Sequence, residues 1–155
     1  MTADKTNIIL TGVPASPGVA IGKVFLFEDD EFVFVEKAVP KNKIKEEIVR
    51  LQQAMAKTRT ELQENQVDLG KMLGKNYAKI ADAHMLILDD PMLNKEAVAL
   101  INEGNNAEFA VYKVTEKITK SFDLINDEYF RERKHDIIDV SKKIMRHLLG
   151  KQKKT

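Results

Sequence analysis

Three histidines, His84, His135 and His147, are the side chains best suited to chemistry in this chain. Histidine can carry protons, hold metals or accept a phosphoryl group. A helical metal site needs further ligands at fixed spacing, and no two of these histidines stand one helical turn apart. His135 and His147 lie among Lys and Arg and read as surface residues. His84 stands alone in front of an apolar run, which fits a structural residue as well as a functional one. With no cysteine at all, disulfides, thiol catalysis and thiolate metal sites are excluded. The glycines of Gly12-Val13-Pro14-Ala15-Ser16-Pro17-Gly18-Val19-Ala20-Ile21-Gly22 invite a phosphate-loop reading. No Gly-Lys-Ser/Thr follows them, and Pro14 and Pro17 suit a structural turn better. No nucleophile elbow and no paired-carboxylate signature is present. The predicted catalytic set is therefore empty, and the predicted metal set with it.

The elements that would position these residues change character near Pro40. Asn7–Thr11, Val19–Phe27 and Phe32–Val35 read as short strands, the last after the acidic turn Glu28–Glu31. After Pro40, Ile44, Ile48, Leu51, Met55, Thr58, Leu62, Asn65 and Leu69 recur at steps of four and three. That is a helical seam, weakened at Thr58 and Asn65. Gly70 and Gly74 end or bend it. A second helix is expected from about Lys75 to Leu88, and Asp90-Pro91 forces a kink or restart. A third stops near Gly104. Asn106 is a candidate N-cap for a fourth, with Val111, Val114, Ile118, Phe122 and Ile125 on one face. Asn126 or Asp127 caps a last helix striped by Phe130, Ile137, Val140, Ile144 and Leu148, and Gly150 closes it. Short connections favour antiparallel neighbours. The expected fold is mainly α: an antiparallel helical-hairpin bundle with a short N-terminal β segment. The expected boundaries are 1–36 for the β segment, 37–150 for the helical domain and 151–155 for a solvated tail.

Composition narrows the function. The 155 residues suit one domain, and 43% of them are apolar, enough for a core. Lys plus Arg number 25 against 24 Asp plus Glu, so no overall field attracts nucleic acid or anionic lipid. No apolar run reaches the roughly 18 residues of a membrane span, and the start lacks a signal-peptide core. A cytoplasmic protein is expected. Met85, Leu86, Ile87 and Leu88 are consecutive, and at about 100° per residue they girdle the second helix. Either that helix is buried on all sides or part of the girdle faces a partner, with Asp82, His84, Asp89 and Asp90 as its polar rim.

Three blocks in order resemble the N-terminal region of Enzyme I of the bacterial phosphoenolpyruvate:sugar phosphotransferase system. Gly12–Gly22 is similar to its Gly-x-x-Ala-Ser-x-Gly-x-Ala opening. Ala83-His84 through Asp90-Pro91 and Leu93 matches the segment after its first long helix. Asn126–Arg133 with Asp136 and Asp139-Val140 matches its Asp-Glu-Tyr-x-x-Glu-Arg block, and His147–Gly150 matches the close of its last helix.

The resemblance implies a helical subdomain inserted in a phosphohistidine α/β domain, to which residues 1–36 would belong. It implies that the helical part docks the phosphocarrier protein HPr, so that phosphate passes from a histidine of Enzyme I to HPr. His84, Met85, Leu86, Asp90 and Leu93 would supply one side of the docking face. Tyr112, Phe122, Phe130 and Arg133 would supply the other. Acidic residues found in some members are replaced here by Lys75-Asn76-Tyr77 and Pro91-Met92, so a more apolar interface is expected. The family's Gly-x-x-Ser-His phosphohistidine motif is absent, as is the phosphoenolpyruvate-binding barrel. The parent would be a phosphoenolpyruvate-protein phosphotransferase serving sugar transport, but this chain should be inactive alone. No cofactor is implied within it, Mg2+ belonging to the barrel. Strands without their sheet leave open edges, and an isolated hairpin is marginal in water, so a homodimer through these strands is expected. Two rival readings are a self-associating helical protein and the equivalent region of another phosphoenolpyruvate-utilising phosphotransferase, such as a dihydroxyacetone-kinase subunit.

Overall fold

A computed structural model describes residues 8–14, 16–23 and 34–150. The chain divides into two compact units, Met1–Asp30 and Glu31–Thr155. In the first, residues 8–14 and 16–23 follow an irregular path. The strands expected there, and the one expected at Phe32–Val35, correct to coil wherever residues are described; 24–33 lie outside them, as does the 151–155 tail. Among the described residues the only bridge is Ala38 with Asn105. Val, Ile and Phe favour a pleated surface only where neighbours pack against it. That dependence is why their presence alone misled.

The second unit is helical, as its apolar period dictates. After a short 3-10 turn at Lys41–Lys43 come α1 (Ile44–Leu73), α2 (Lys75–Leu88), α3 (Pro91–Asn102), α4 (Ala107–Asp123) and α5 (Glu128–Leu148). Helix α1 packs on α2 and α5, and α4 packs on α3 and α5. The core gathers Leu51, Ala54 and Leu62 of α1 with Leu93, Ala97 and Ile101 of α3, Val111 and Val114 of α4, and Val140, Ile144 and Leu148 of α5. Thr58 is fully buried in the seam. Its hydroxyl donates to the Ala54 carbonyl at 2.9 Å, so it carries no orphaned polar atom into the core.

The helix ends follow local rules. Helix α1 runs through Gly70 and stops at Gly74, whose φ of 86° suits glycine alone. The Asp90 side chain accepts from Met92 N at 2.8 Å with Pro91 in the first helical turn, so the expected break is a true restart. Asp127 likewise accepts from Tyr129 N at 2.8 Å. Gly104, at φ 98°, turns the chain into α4, with its carbonyl accepting from Val39 N at 2.7 Å.

Asn106 holds the N-cap position of α4 as expected, and its carbonyl accepts from Ala110 N at 3.0 Å. Its side chain makes no cap bond to α4. The Oδ1 atom accepts from Lys37 N at 3.2 Å, while Nδ2 donates to Val35 O and to Glu108, each at 3.0 Å. The first amide of α4, Ala107 N, donates instead to Glu47 of α1 at 2.8 Å. Arg50 joins this cluster. It donates to Glu47 at 2.6 Å, to both Glu108 oxygens, and to the Leu148 carbonyl at 3.1 Å. The approach segment, the starts of α1 and α4, and the end of α5 are thus tied at one clasp. The hydrogen bond to Glu108 raises the Arg50 pKa further despite partial burial, so the guanidinium stays charged at any working pH.

Candidate docking groove

The girdle of α2 is divided by the packing. Leu88 is 4% exposed and faces the core, while Leu86 is 65% exposed. Met85 and Ile87 are half-buried against the core. The helix is therefore neither a fully buried rod nor a purely external one.

Next to it lies a cavity of about 240 Å³ between the α2–α3 corner, α4 and α5. Its apolar walls are Ile87, Leu93, Ile118, Phe122 and Ile137, with Met92 at the rim. Each wall follows from a helical stripe. Leu93 sits one turn into α3, held by the Asp90–Pro91 restart. Ile118 and Phe122 are four apart on α4 and project the same way. Thr115 of α4 and Ser141 of α5 add two hydroxyls 2.6 Å apart. Asp90 and Lys117 are the charged residues of the lining, and Lys117 is held by Glu96 at 2.9 and 3.0 Å.

Of the residues singled out from sequence, Asp90, Leu93 and Phe122 line this groove. Phe130 stacks on Phe122 with ring centroids 5.5 Å apart and on Tyr129 at 5.4 Å, extending the apolar surface to the start of α5. Arg133 lies over the Tyr129 ring at 5.9 Å. His84 is only 7% exposed, and its Nε2 stands 3.3 Å from Asp136 of α5. Tyr112 is not brought to the groove. It stacks on Phe34 at 5.3 Å with Lys113 over its ring, on a different face of α4 from Ile118 and Phe122. His147, expected at the surface, is half-buried, with Nε2 2.9 Å from Glu61 of α1.

Thr115, Ile118, Ser121, Ile137 and Ser141 also line the groove, and nothing in the sequence marked them as groove residues. Ile118 and Ile137 were visible as stripe positions. The two hydroxyls flanking that stripe carried no signal until the helices were brought face to face. Among the described residues no group of three or more His, Asp or Glu converges to hold a metal ion. None of their helices is long and apolar enough to cross a membrane.

Among the described residues, the α2–α3 corner, α4 and α5 thus frame an open apolar groove. Comparison supplies the family. Residues 11–133 match the family described as PEP-utilising enzyme, N-terminal, and the chain belongs to it. It is 37% identical over 142 residues to the phosphoenolpyruvate-protein phosphotransferase of Priestia megaterium, covering 91% of this chain and 24% of that protein. The Bacillus subtilis protein of the same name is 34% identical, with 91% and 25% covered. The chain thus spans about a quarter of the length of these curated relatives. An NMR solution structure of Enzyme I superposes with a TM-score of 0.80 at 35% identity, covering 92% of this chain and 58% of that one. The N-terminal domain of the nitrogen Enzyme 1 superposes at 0.70 and 24% identity over 81% of this chain and 54% of that one, and there the likeness is of fold alone. The chain is similar to the N-terminal region of Enzyme I, and its helical bundle is the fold they share.

Proposed function

We propose that this chain is the docking module of an Enzyme I, and that its groove receives the phosphocarrier HPr. The observation that carries the reading is the open apolar cavity walled by Leu93, Ile118 and Phe122, continued outward by exposed Leu86 and Met92. An exposed apolar patch with a polar rim is the usual mark of a partner surface. The likeness to Enzyme I supplies the partner. In this reading phosphate passes from phosphoenolpyruvate through a histidine of the parent enzyme to HPr, and the module's task is to hold HPr in register. Neither buried His84, facing Asp136, nor His147, against Glu61, is placed to serve as that histidine.

Leu86, Met85, Asp90, Leu93, Phe122 and Phe130 form the docking face in this reading, with Arg133 at its edge. His84 supports the face from beneath, and Tyr112 is left out. The encounter must be transient for turnover, so a dissociation constant on the order of micromolar, roughly −8 kcal/mol, is expected. The charged lining residues Asp90 and Lys117 are of opposite sign. Docking should therefore respond only weakly to salt. The test is a heteronuclear NMR titration of the labelled chain with unlabelled HPr. Shifts gathered on Leu86–Leu93, Ile118–Phe122 and Phe130–Arg133 support the reading. A folded chain that shows none at millimolar HPr sinks it and favours the self-associating alternative.

A further inference from the structure

The clasp has two layers, and one side chain joins them. In the inner layer Arg50 binds Glu47, Glu108 and the Leu148 carbonyl, and Glu47 also accepts from Ala107 N. Every one of these groups belongs to a helix. In the outer layer residues 34–39 cross the turn between α3 and α4 as a strap. Ala38 bridges Asn105, with Val39 N donating to Gly104 O at 2.7 Å and Asn106 N to Lys37 O at 3.2 Å. The Asn106 side chain adds two more rungs. Its Oδ1 accepts from Lys37 N, and one Nδ2 proton goes to Val35 O. The other Nδ2 proton goes inward to Glu108. A reversed amide would set donor against donor at Lys37 and acceptor against acceptor at Val35 and Glu108, so the orientation is fixed.

Little else holds the strap down. The side chains from Val35 to Ala38 are exposed. Phe34 is half-buried at one end, its ring 5.3 Å from that of Tyr112, and Val39 is half-buried at the other. Between them lies a cavity of about 590 Å³, lined by the strap together with Glu47, Arg50 and Glu108. A segment with few buried apolar contacts and water-exposed hydrogen bonds opens at a lower free energy than the core. Lifting it would cost the inner layer one bond, from Asn106 to Glu108. Arg50 would still answer both Glu108 oxygens.

We propose that residues 34–39 form a strap that opens and closes as one unit while the bundle stays folded, with Asn106 as its pin. The chain then enters the helical unit through a latch and leaves it at a fixed point, where Arg50 holds Leu148.

The test is native-state hydrogen exchange on the whole chain, followed by NMR across urea concentrations below the unfolding transition. The Lys37 and Val39 amides should exchange through an opening smaller than global unfolding, with little dependence on urea. The Ala107 amide, bonded to Glu47, and the Leu149 amide, bonded to Met145 O, should follow the urea slope of global unfolding. Strap amides that share this slope would make the strap an integral part of the bundle and overturn the proposal. Strap amides without protection would mean that no closed strap exists, and overturn it too. Asn106→Ser then tests the pin, since serine is equally favoured at the N-cap of α4. Val39 bonds to Gly104 and not to Asn106, yet its exchange should quicken about tenfold, the worth of one or two ordinary hydrogen bonds. An unchanged Val39 rate would show a strap that frays residue by residue, and would remove Asn106 as its pin. HPr takes no part in these measurements, so the docking reading stands or falls separately.

Discussion

The clasp and the groove are built from opposite materials. At the clasp, Glu47, Arg50, Asn106 and Glu108 bind one another and the backbone of three elements. At the groove, Leu93, Ile118, Phe122 and Ile137 enclose a cavity that no described residue fills. The contrast follows from what each place must do. Helix ends bring orphaned amides and carbonyls, which must find partners when buried. A place where four chain segments meet therefore needs polar side chains with every bond made. An interface needs the reverse, apolar atoms left in water so that covering them is favourable. Stability should depend on the first region, and recognition on the second.

The largest effect should come from breaking the clasp. Arg50→Met keeps the volume but leaves Glu47 and Glu108 facing each other, partly buried and without their cation. Removing one member of a buried ionic cluster is strongly destabilising, and the partial exposure of Arg50 moderates this to about 2–3 kcal/mol. Urea denaturation checks it, and a loss below 0.5 kcal/mol would make the clasp ornamental. The groove should respond in the other direction. Leu86→Ala removes a side chain that is 65% exposed, so stability should hold. HPr affinity should fall about tenfold, roughly 1.4 kcal/mol. A variant that lost stability and affinity together would collapse the distinction between the two regions.

Much of the bundle could be read from local pattern. The Asp90-Pro91 restart, the Asp127 cap and the Gly74 stop each depend on residues within a few positions, so the sequence displays them directly. What escaped was set by distant partners. Asn106 does hold the N-cap position of α4, but Val35 and Lys37 claim its side chain from about seventy residues away. His147 looks like a surface residue until Glu61 arrives from α1. Tyr112 sits in the right helix for the groove, yet its helical phase turns it to Phe34. The N-terminal apolar residues look like strands because β-branched composition records a preference and not the neighbour that would satisfy it. The groove itself was half legible. Leu93 and Phe122 stood out, whereas Thr115 and Ser141 meet only once α4 and α5 are brought face to face.

Glu61 offers a finer probe, since it mixes the two materials on the far side of α5 from the groove. Burial pushes its carboxyl up, but hydrogen bonds from Arg146 at 2.6 and 2.8 Å and from His147 at 2.9 Å outweigh that, and the net shift is downward. The folded protein therefore holds the ionised form more tightly than the unfolded chain does. Its contribution is complete above the ordinary glutamate value of about 4.3. It erodes as pH falls through the lower folded value, because the unfolded chain takes up the proton first. Glu61→Gln should cost about 1 kcal/mol at pH 7. The gap between variant and wild type should narrow in acid, at a pH below that ordinary value, as wild type loses the same charge. Chemical denaturation at pH 7 and in acid measures it. A gap that persists in acid would mean that side-chain packing, and not the carboxylate's charge, ties α1 to the last turn of α5.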